Sequence, residues 1–271
     1  MANKFKVGDI EVIAVSDGTI LLPGLQYFGK TAEEWEPHKA LLDKDGNIPS
    51  PMGCFVVRSG GRTVLIDTGL GPIKAAAYDG GALLDDLASA AVKPQDIDVV
   101  FMTHLHADHC GTAARKVAGV MEPTFPNATY RWTAAEQAYW SGELPAGSFV
   151  RRDIFAAVAP KFEAADGGAS LAPGVDVLAM PGHTPGHAGV VISSGDERAF
   201  VLGDAIGCPV QLTETDWSGM GDVDPKMARR SREALMREME GKPDMLAASH
   251  FPGLTFGRVM IGEGKRYWQA V

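Results

Sequence analysis

The chain has 271 residues, of which 45% are hydrophobic, and a formal net charge of -9 from 34 acidic and 25 basic side chains. This length and apolar content predict one compact domain over residues 1–271. The acidic balance, with no basic cluster longer than Arg229, Arg230 and Arg232, argues against a nucleic-acid partner. No apolar run approaches membrane-spanning length, so we expect no membrane partner.

The cysteines, Cys54, Cys110 and Cys208, are odd in number and show no Cys-x-x-Cys spacing. This argues against both a disulfide framework and a zinc ribbon. A reducing compartment fits this use of cysteine, and without a signal-peptide pattern we expect a cytoplasmic protein. As partner we expect a small-molecule substrate, and we leave a homodimer open.

The first half of the chain is dominated by strand patterns, which cover residues 10–15, 54–58 and 63–66. The glycine-containing residues 59–62 predict a hairpin turn between the last two. Residues 80–91 then place apolar side chains on one helical face, and the apolar residues 97–102 predict a buried strand.

Residues 23–52 stand apart from these patterns. Thr31, followed three residues later by Glu34, predicts a capping box that opens a short helix containing Trp35, with an interruption near Pro37. We consider this segment as a flap over the functional site and, alternatively, as a surface excursion that covers a sheet edge.

The second half returns to strands after a helical region. Residues 133–165 predict helical segments interrupted at Gly142, Pro145 and Gly147. Asp224 and Pro225 predict the N-cap and first position of an amphipathic helix that reaches residue 240. Strand patterns surround this helix, at residues 175–180, 188–193, 199–202, 245–248 and 258–261. The order favours an α/β (α+β) fold of two β-sheets with helices outside them.

The chemistry concentrates where the predicted strand at residues 97–102 ends. The next residues, Thr103-His104-Leu105-His106-Ala107-Asp108-His109-Cys110-Gly111, hold three imidazoles and a carboxylate. Side chains that leave a sheet in a loop can converge, and packing alone gives no reason for this density of polar groups. Imidazole nitrogens and carboxylate oxygens are common metal ligands, so this run predicts a metal site.

Three further candidate ligands also follow strand patterns. His183 lies in the Gly- and Pro-rich exit Pro181-Gly182-His183-Thr184-Pro185-Gly186, Asp204 follows the strand at 199–202, and His250 follows the strand at 245–248. We therefore expect four strand ends to converge on one edge of the fold.

The order His-x-His-x-Asp-His-x-Gly, followed by His183, Asp204 and His250, resembles the metallo-β-lactamase superfamily, and Asp67-Thr68-Gly69 resembles its upstream element. The resemblance implies a four-layer αβ/βα sandwich of two mixed sheets with a dinuclear centre between them. It further implies two ligand sets, bridged by Asp204 and a hydroxide. The first set is His104, His106 and His183, and the second is Asp108, His109 and His250.

Two divalent ions that share a carboxylate and a water lower the pKa of that water toward about 7, which suits a hydrolase. Zinc is our first choice, although iron, manganese and cobalt also accept such ligands. Asp108 and Asp204 are the candidate catalytic residues, Asp108 either as a plain ligand or also as a proton carrier. We expect Asp67 and His187 to support the ligands through hydrogen bonds.

The nearest branch of this superfamily contains the lactonases and the methyl parathion hydrolase-like enzymes, and residues 249–254, 7–10 and 16–19 resemble the latter. That resemblance implies cleavage of lactone, aryl ester or organophosphate bonds. The acyl-homoserine lactone lactonases commonly carry a tyrosine three residues after the bridging aspartate. This chain has Gly207 there, so we expect no tyrosine donor from that position.

Other functions stay as alternatives. An iron-dependent redox enzyme, such as a sulfur dioxygenase, uses similar ligands, although His106 stands where the flavodiiron branch typically has glutamate. A glyoxalase-II-like thioesterase is a second alternative, although the chain lacks a basic carboxy-terminal tail suited to glutathione. A metal-binding protein without turnover is a third.

We expect apolar side chains in loops to hold the substrate. Phe251 is the first choice because it adjoins His250, and Trp35 and Trp140 are further candidates. Cys110 and Cys208 lie close to candidate ligands, but the ligand set is full without them, so we interpret them as small packed residues.

Overall fold

The computed structural model of the protein describes residues 3–143 and 151–271. Its strands are β1 (Asn3–Val7), β2 (Ile10–Pro23), β3 (Asn47–Ser59), β4 (Arg62–Ile66), β5 (Lys74–Ala75), β6 (Tyr78–Asp79), β7 (Val99–Phe101), β8 (Ala114–Val117), β9 (Val120–Pro123), β10 (Thr129–Trp132), β11 (Phe162–Ala164), β12 (Ser170–Ala172), β13 (Val175–Ala179), β14 (Ala188–Ser194), β15 (Glu197–Val201), β16 (Met245–Ala247), β17 (Gly257–Gly262) and β18 (Lys265–Ala270). Its α-helices are α1 (Gly24–Phe28), α2 (Ala32–Trp35), α3 (Leu83–Ser89), α4 (Ala107–Cys110), α5 (Ala134–Ser141), α6 (Arg152–Val158), α7 (Val210–Thr213) and α8 (Pro225–Met239). Short 3-10 helices occupy Glu36–Leu41, Pro94–Asp96, Ala159–Lys161 and Pro252–Leu254.

Within the described ranges the strands form two large mixed sheets and the small hairpin β8-β9. The first sheet has the order β11-β10-β7-β4-β3-β2-β6-β5, with β1 added to β2, and the second has the order β12-β13-β14-β15-β16-β17-β18. Strands β4, β7, β10 and β11 are parallel neighbours in the first sheet, and β15 and β16 are parallel in the second. The predicted fold of two mixed sheets flanked by helices is confirmed.

The core is layered because most central strands bury both faces. In β2, Val12 faces the core between the sheets, whereas its neighbour Ile13 faces the helices outside the first sheet. In β15, Val201 faces the same central core, whereas Phe200 packs toward α8. Side chains alternate between the faces of a strand, so near-continuous apolar runs are what a sheet covered on both sides requires.

Most predicted elements occur with shifted ends. The helix predicted at 80–91 spans Leu83–Ser89, and the strand predicted at 97–102 spans Val99–Phe101. The amphipathic helix is α8, where the Asp224 side chain accepts a hydrogen bond from Met227 N and Pro225 begins the helix. Helix α5 ends before Gly142 as predicted. The predicted breaks at Pro145 and Gly147 lie outside the described residues.

The segment at 23–52 needs one correction. The capping box at Thr31 and Glu34 is present and opens the four-residue helix α2. Residues 47–52, however, belong to β3 and pair with β2 along their length, so they are part of the first sheet. Between Gly24 and Leu41 the segment is folded into short helices. Its role as a flap stays a prediction. Among the described residues no helix is long and apolar enough to cross a membrane.

Gly111, at the end of the loop with the histidines, packs closely against the turn that follows β4. A Cβ atom at Gly111 would lie 2.0 Å from the carbonyl oxygen of Leu70. We therefore expect Gly111→Ala to lower the free energy of unfolding by about 1–3 kcal/mol through overpacking, measured by urea denaturation. The matched control is Gly142→Ala, where the nearest atom would lie at 3.4 Å and φ is -82°. Equal stability of both variants would contradict the close approach.

Candidate metal centre

The predicted ligands follow strands whose ends meet at one edge of the two sheets. Parallel β4 and β7 end at this edge in the first sheet, and parallel β15 and β16 end there in the second. The loop after β7 carries the first two imidazoles and leads into α4, and β13, β15 and β16 each lead to one further ligand. The structure brings together all the predicted ligands, which are His104, His106, Asp108, His109, His183, Asp204 and His250.

The first ligand group joins three imidazoles. His106 Nδ1 lies 2.9 Å from His104 Nε2 and 3.0 Å from His183 Nε2. Nitrogens bound to one tetrahedral zinc at about 2.1 Å would lie about 3.4 Å from one another, so this spacing is close to that of a ligand set. His104 and His183 are buried, at 0% and 3% exposed, and His106 is half-buried beside the cavity.

The second ligand group joins Asp108, His109 and His250. Asp108 Oδ2 lies 3.5 Å from His250 Nε2 and 3.8 Å from His109 Nε2. Its carboxylate is the more exposed member of the group, whereas both imidazoles are buried. Two nitrogens and one oxygen directed at the same point suit zinc and other divalent ions of similar preference.

Asp204 lies between the two groups and faces each with a different oxygen. Its Oδ2 is 3.4 Å from His183 Nε2 and 4.0 Å from His104 Nε2. Its Oδ1 is 3.2 Å from His109 Nε2 and 3.3 Å from His250 Nε2. This arrangement suits a carboxylate that binds one cation with each oxygen.

Two buried atoms at the centre support a fit to metal ions. His109 Nε2 and Asp204 Oδ1 have no hydrogen-bond partner in the part of the chain that the structure describes. Leaving a buried polar group unpaired costs about 1–3 kcal/mol, and more for a charged group, so such atoms usually bond to water or an ion. The residues present therefore fit a centre of two cations.

Burial and neighbouring charges divide the imidazoles into two kinds. Burial, together with the neighbouring imidazole of His183, lowers the pKa of His106 to about 3, so this ring is a neutral ligand at neutral pH. Burial would also lower the pKa of His250, but the carboxylates of Asp204 and Asp108 outweigh it and raise the pKa to about 10. A cation that enters the second group therefore replaces protons.

Most ligand imidazoles also make a hydrogen bond on the side away from the centre. The Nδ1 partners are Thr103 Oγ1 for His104 at 3.1 Å, Asp67 Oδ2 for His109 at 2.9 Å, Asp222 Oδ1 for His183 at 3.0 Å and the Pro51 carbonyl for His250 at 2.8 Å. Such partners fix the ring orientation and the tautomer that directs Nε2 at a metal.

Asp67 lies where the sequence argument expects a supporting carboxylate. It follows β4, is 1% exposed, and accepts hydrogen bonds from His109 Nδ1 and from the backbone N–H and hydroxyl of Thr103. Its φ of 59° lies in the left-handed region, which side chains other than glycine rarely adopt. The backbone is therefore strained at Asp67, the residue whose side chain links the end of β4 to the end of β7.

His187 supports the bridging residue and the turn around His183. Its Nε2 accepts a hydrogen bond from the backbone N–H of Asp204 at 3.1 Å, and its Nδ1 donates to the carbonyl of Met180 at 3.2 Å. Burial lowers the pKa of His187 to about 3, so the ring stays neutral and can both accept and donate. The structure gives His187 the supporting position that we expected.

The sequence analysis missed Asp222. This residue lies in the loop before α8, where no periodic pattern marks it. Its Oδ1 accepts from His183 Nδ1, and its Oδ2 lies 3.6 Å from Arg232 Nη1. Arg232 is 2% exposed on α8 and donates to the carbonyls of Ala205 and Trp217. Helix α8 thereby supports the ligand His183 through a buried ion pair.

The sequence analysis also missed Glu136, which joins the two ligand loops. Its carboxylate, 0% exposed, accepts from Leu105 N at 2.9 Å in the first loop. It also accepts from Thr184 Oγ1 at 2.7 Å and Gly186 N at 3.1 Å in the second loop. A fourth donor is Trp140 Nε1. The one available signal was a glutamate one helical turn before a tryptophan on the same face of α5.

A cavity of about 630 Å³ opens beside His106 and Asp108. Most of its wall is apolar, and Trp140, predicted to contact substrate, lines it together with Ile20, Leu70, Ile73, Tyr139 and Val223. The ring of Trp140 also stands edge-on to His106, with centroids 5.5 Å apart. The cavity can therefore hold an apolar group next to the metal ligands.

The prediction that Phe251 and Trp35 line this pocket is wrong. Phe251 is 0% exposed and packs against Trp268 in the core beneath α8, because the turn after β16 directs its side chain into that core and not toward the cavity. Trp35 is 1% exposed and packs on Trp217, with centroids 5.0 Å apart. Cys110 and Cys208 are buried free thiols, and burial raises the pKa of Cys208 to about 12.

Comparison with known proteins agrees with the fold. A structure of AidC, described as a dizinc quorum-quenching lactonase in complex with a product, matches with a TM-score of 0.89 and 24% identity over 100% of this chain and 97% of that chain. A structure described as hydrolase AbOPH in the beta lactamase superfamily matches with a TM-score of 0.85 and 24% identity over 100% and 97%. A probable metal-dependent hydrolase from Staphylococcus aureus matches with a TM-score of 0.86 and 19% identity over 98% and 99%.

The family-level match covers the whole ligand set. The model of the metallo-beta-lactamase superfamily matches residues 53–250, from β3 to the last histidine ligand. The two-sheet fold is in agreement with it. The chain therefore belongs to the metallo-beta-lactamase superfamily.

Proposed function

We propose that this protein is a two-zinc hydrolase that opens lactones with an apolar substituent. The observation that carries the proposal is the bridging position of Asp204, with one oxygen directed at each ligand group, next to an apolar cavity. Structural neighbours described as a dizinc lactonase and as an N-acyl homoserine lactone lactonase support the choice of lactones. Aryl esters and phosphotriesters are the related substrates to compare.

Lactone opening adds one water across the acyl–oxygen bond and gives a carboxylate, a hydroxyl group and one proton. Two divalent ions, when bound, would polarise the carbonyl oxygen and lower the pKa of the attacking water. The protein itself binds and orients the substrate. The cavity wall around Trp140 and Ile73 would hold the apolar substituent and exclude water, which places the carbonyl group at the ligand cluster.

Asp108 fits the ligand role better than the role of proton carrier. Burial alone would raise the pKa of its carboxyl group, but the charged imidazoles of His109 and His250 outweigh burial and hold the pKa below its ordinary range, and a cation that replaced their protons would keep positive charge beside it. A carboxylate that stays ionised is a poor acid at neutral pH. We therefore assign the proton that appears on ring opening to solvent at the cavity mouth.

Removal of the metal should abolish lactone hydrolysis, because the ligand residues alone offer no nucleophile for it. We expect chelated protein to be inactive and protein refilled with zinc to regain turnover, with metal content measured by elemental analysis. Lactones, aryl esters, phosphotriesters and thioesters form the substrate panel. Zinc-filled protein that opens no lactone would contradict the proposal. Iron together with oxygen uptake on a persulfide would instead support the redox alternative.

The cavity wall should select for substituent length. Ile73→Ala removes apolar surface from the wall. Two to three methylene groups contribute about 2 kcal/mol, so we expect KM for long-chain lactones to rise about 10- to 30-fold, with little change for short-chain lactones. The control is Ile261→Ala on β17, where the side chain is 55% exposed. An equal change of KM for all chain lengths would show that the cavity does not bind the substituent.

Asp222 should act on metal affinity through His183. We expect Asp222→Asn to weaken metal binding about 10- to 100-fold, because the amide replaces the charged acceptor of the His183 Nδ1 hydrogen bond. Competition with a chromophoric chelator measures this affinity. The matched control is Asp216→Asn, at an exposed aspartate six residues earlier. Unchanged zinc affinity of the Asp222 variant would show that the hydrogen bond does not support the site.

A further inference from the structure

Asp17 lies at an irregularity of strand β2. The pairing of β2 with β3 shifts in register between Ser16 and Thr19, which marks a β-bulge. Gly18 adopts a φ of 138°, and a Cβ atom there would overlap the carbonyl oxygen of Asp79. Bulges change the direction of the side chains beside them, and Asp17 is 0% exposed. The strand thereby places a carboxylate in the interior of the protein.

Backbone N–H groups surround this carboxylate. Oδ2 of Asp17 accepts hydrogen bonds from Leu70 N and Gly71 N, both at 2.8 Å, and Oδ1 accepts from Leu83 N at 3.0 Å. The backbone carbonyl of Asp17 accepts from Ala82 N at 3.0 Å. Burial raises the pKa of Asp17, and the backbone hydrogen bonds offset part of this rise. A buried carboxylate is stable only with such donors, so Asp17 holds these backbone groups together.

The donors belong to the two ends of one segment, residues 70–82, which we call the cavity loop. Leu70 and Gly71 begin this loop, and Ala82 and Leu83 lie where it enters α3. The cavity loop includes β5 and β6 and contributes four residues to the cavity wall, which are Leu70, Ile73, Ala75 and Tyr78. Asp17 therefore connects the start and the end of a segment that forms a large part of the apolar wall.

The turn just before the cavity loop also contacts the loop that carries the histidines. Gly111 N donates to the Gly69 carbonyl at 2.6 Å, and Thr68 N donates to the His109 carbonyl at 2.7 Å. A Cβ atom at Gly69 would overlap the side chain of Asp17. Backbone contacts thus fix the position of Asp17 relative to the metal ligands. A loop whose ends are bound to Asp17 therefore stands at a defined distance from the metal centre.

We propose that Asp17 is a positioning residue that sets how long an apolar substituent the cavity accepts, because it joins the two ends of the cavity loop. The inference rests on the proposed lactone hydrolysis. With both ends joined, Leu70 and Ile73 stay at the cavity and bury methylene groups of a long substituent. With one end released, the wall retracts and these groups stay in water. A short substituent ends before this wall and does not depend on Asp17.

The test is Asp17→Asn in the zinc-loaded protein, which keeps the shape of the side chain but turns an amide donor toward backbone N–H groups. We expect KM for long-chain lactones to rise about 4- to 15-fold, as for one or two methylene groups left in water. The KM for short-chain lactones, kcat and the zinc content should stay as in the parent protein. Calorimetry with ring-opened hydroxy acids of increasing chain length gives a readout without turnover, and only the long chains should lose affinity.

Gly80→Ala disturbs the same junction from the side of the cavity loop. A Cβ atom at Gly80 would lie 2.6 Å from the carbonyl oxygen of Gly71 and 3.3 Å from Asp17 Oδ2, so it separates the two ends while the carboxylate stays. We expect the same chain-length-dependent rise in KM, and this variant is decisive if Asp17→Asn does not fold. The control is Asp79→Asn on β6, where the carboxylate is 73% exposed and pairs with Lys74.

Two results would overturn the role of Asp17 and leave the proposed function standing. The first is a KM that is unchanged, or changed equally for all chain lengths, in the folded variants. The second is a loss of zinc that accompanies the rise in KM, because Asp17 would then support the metal site. Parent protein that opens no lactone would overturn the proposed function together with this inference.

Discussion

The carboxylate of Asp204 imposes the constraint on which the rest of the structure depends. To face two ligand groups, one of its oxygens must lie close to His183 Nε2, at 3.4 Å, and the other close to His109 Nε2, at 3.2 Å, although these imidazoles come from different sheets. That requires the ends of β7, β13, β15 and β16 to meet at one edge. The layered core serves this requirement, because two sheets that pack through one apolar interior hold their edges in a fixed relation.

The cost of this arrangement is a concentration of buried charge. Each buried carboxylate around the ligands has its own set of donors. Asp67 accepts hydrogen bonds from the hydroxyl of Thr103 and from Nδ1 of His109. Asp222 accepts a hydrogen bond from Nδ1 of His183 and lies beside the guanidinium of Arg232. Buried ionised groups are tolerated only with such partners. The geometry of the ligands is therefore maintained by buried carboxylates that form hydrogen bonds with the ligand imidazoles.

The sequence predicted the ligands because their signals are local. The cluster from His104 to His109 follows an apolar strand, and Asp204 and His250 follow two more, so alternation and strand ends were enough to place them. Asp222 and Glu136 carry no such signal, since each acquires its role through a contact with a distant part of the chain. Phe251 was assigned to the pocket from its adjacency to His250, but adjacency does not fix the direction of a side chain.

Glu136 has a consequence for how substrate range can change. Its carboxylate accepts hydrogen bonds from both ligand loops and from the indole of Trp140, which forms one wall of the cavity. A substitution of Trp140 would remove a hydrogen-bond donor from the buried carboxylate of Glu136, and the same carboxylate holds the two ligand loops in position. The aliphatic part of the wall, with Ile20 in β2 and Ile73 just before β5, has no such connection among the residues described. Adaptation to new substrates, by natural divergence or by engineering, would therefore proceed through the aliphatic wall and leave the tryptophan wall unchanged.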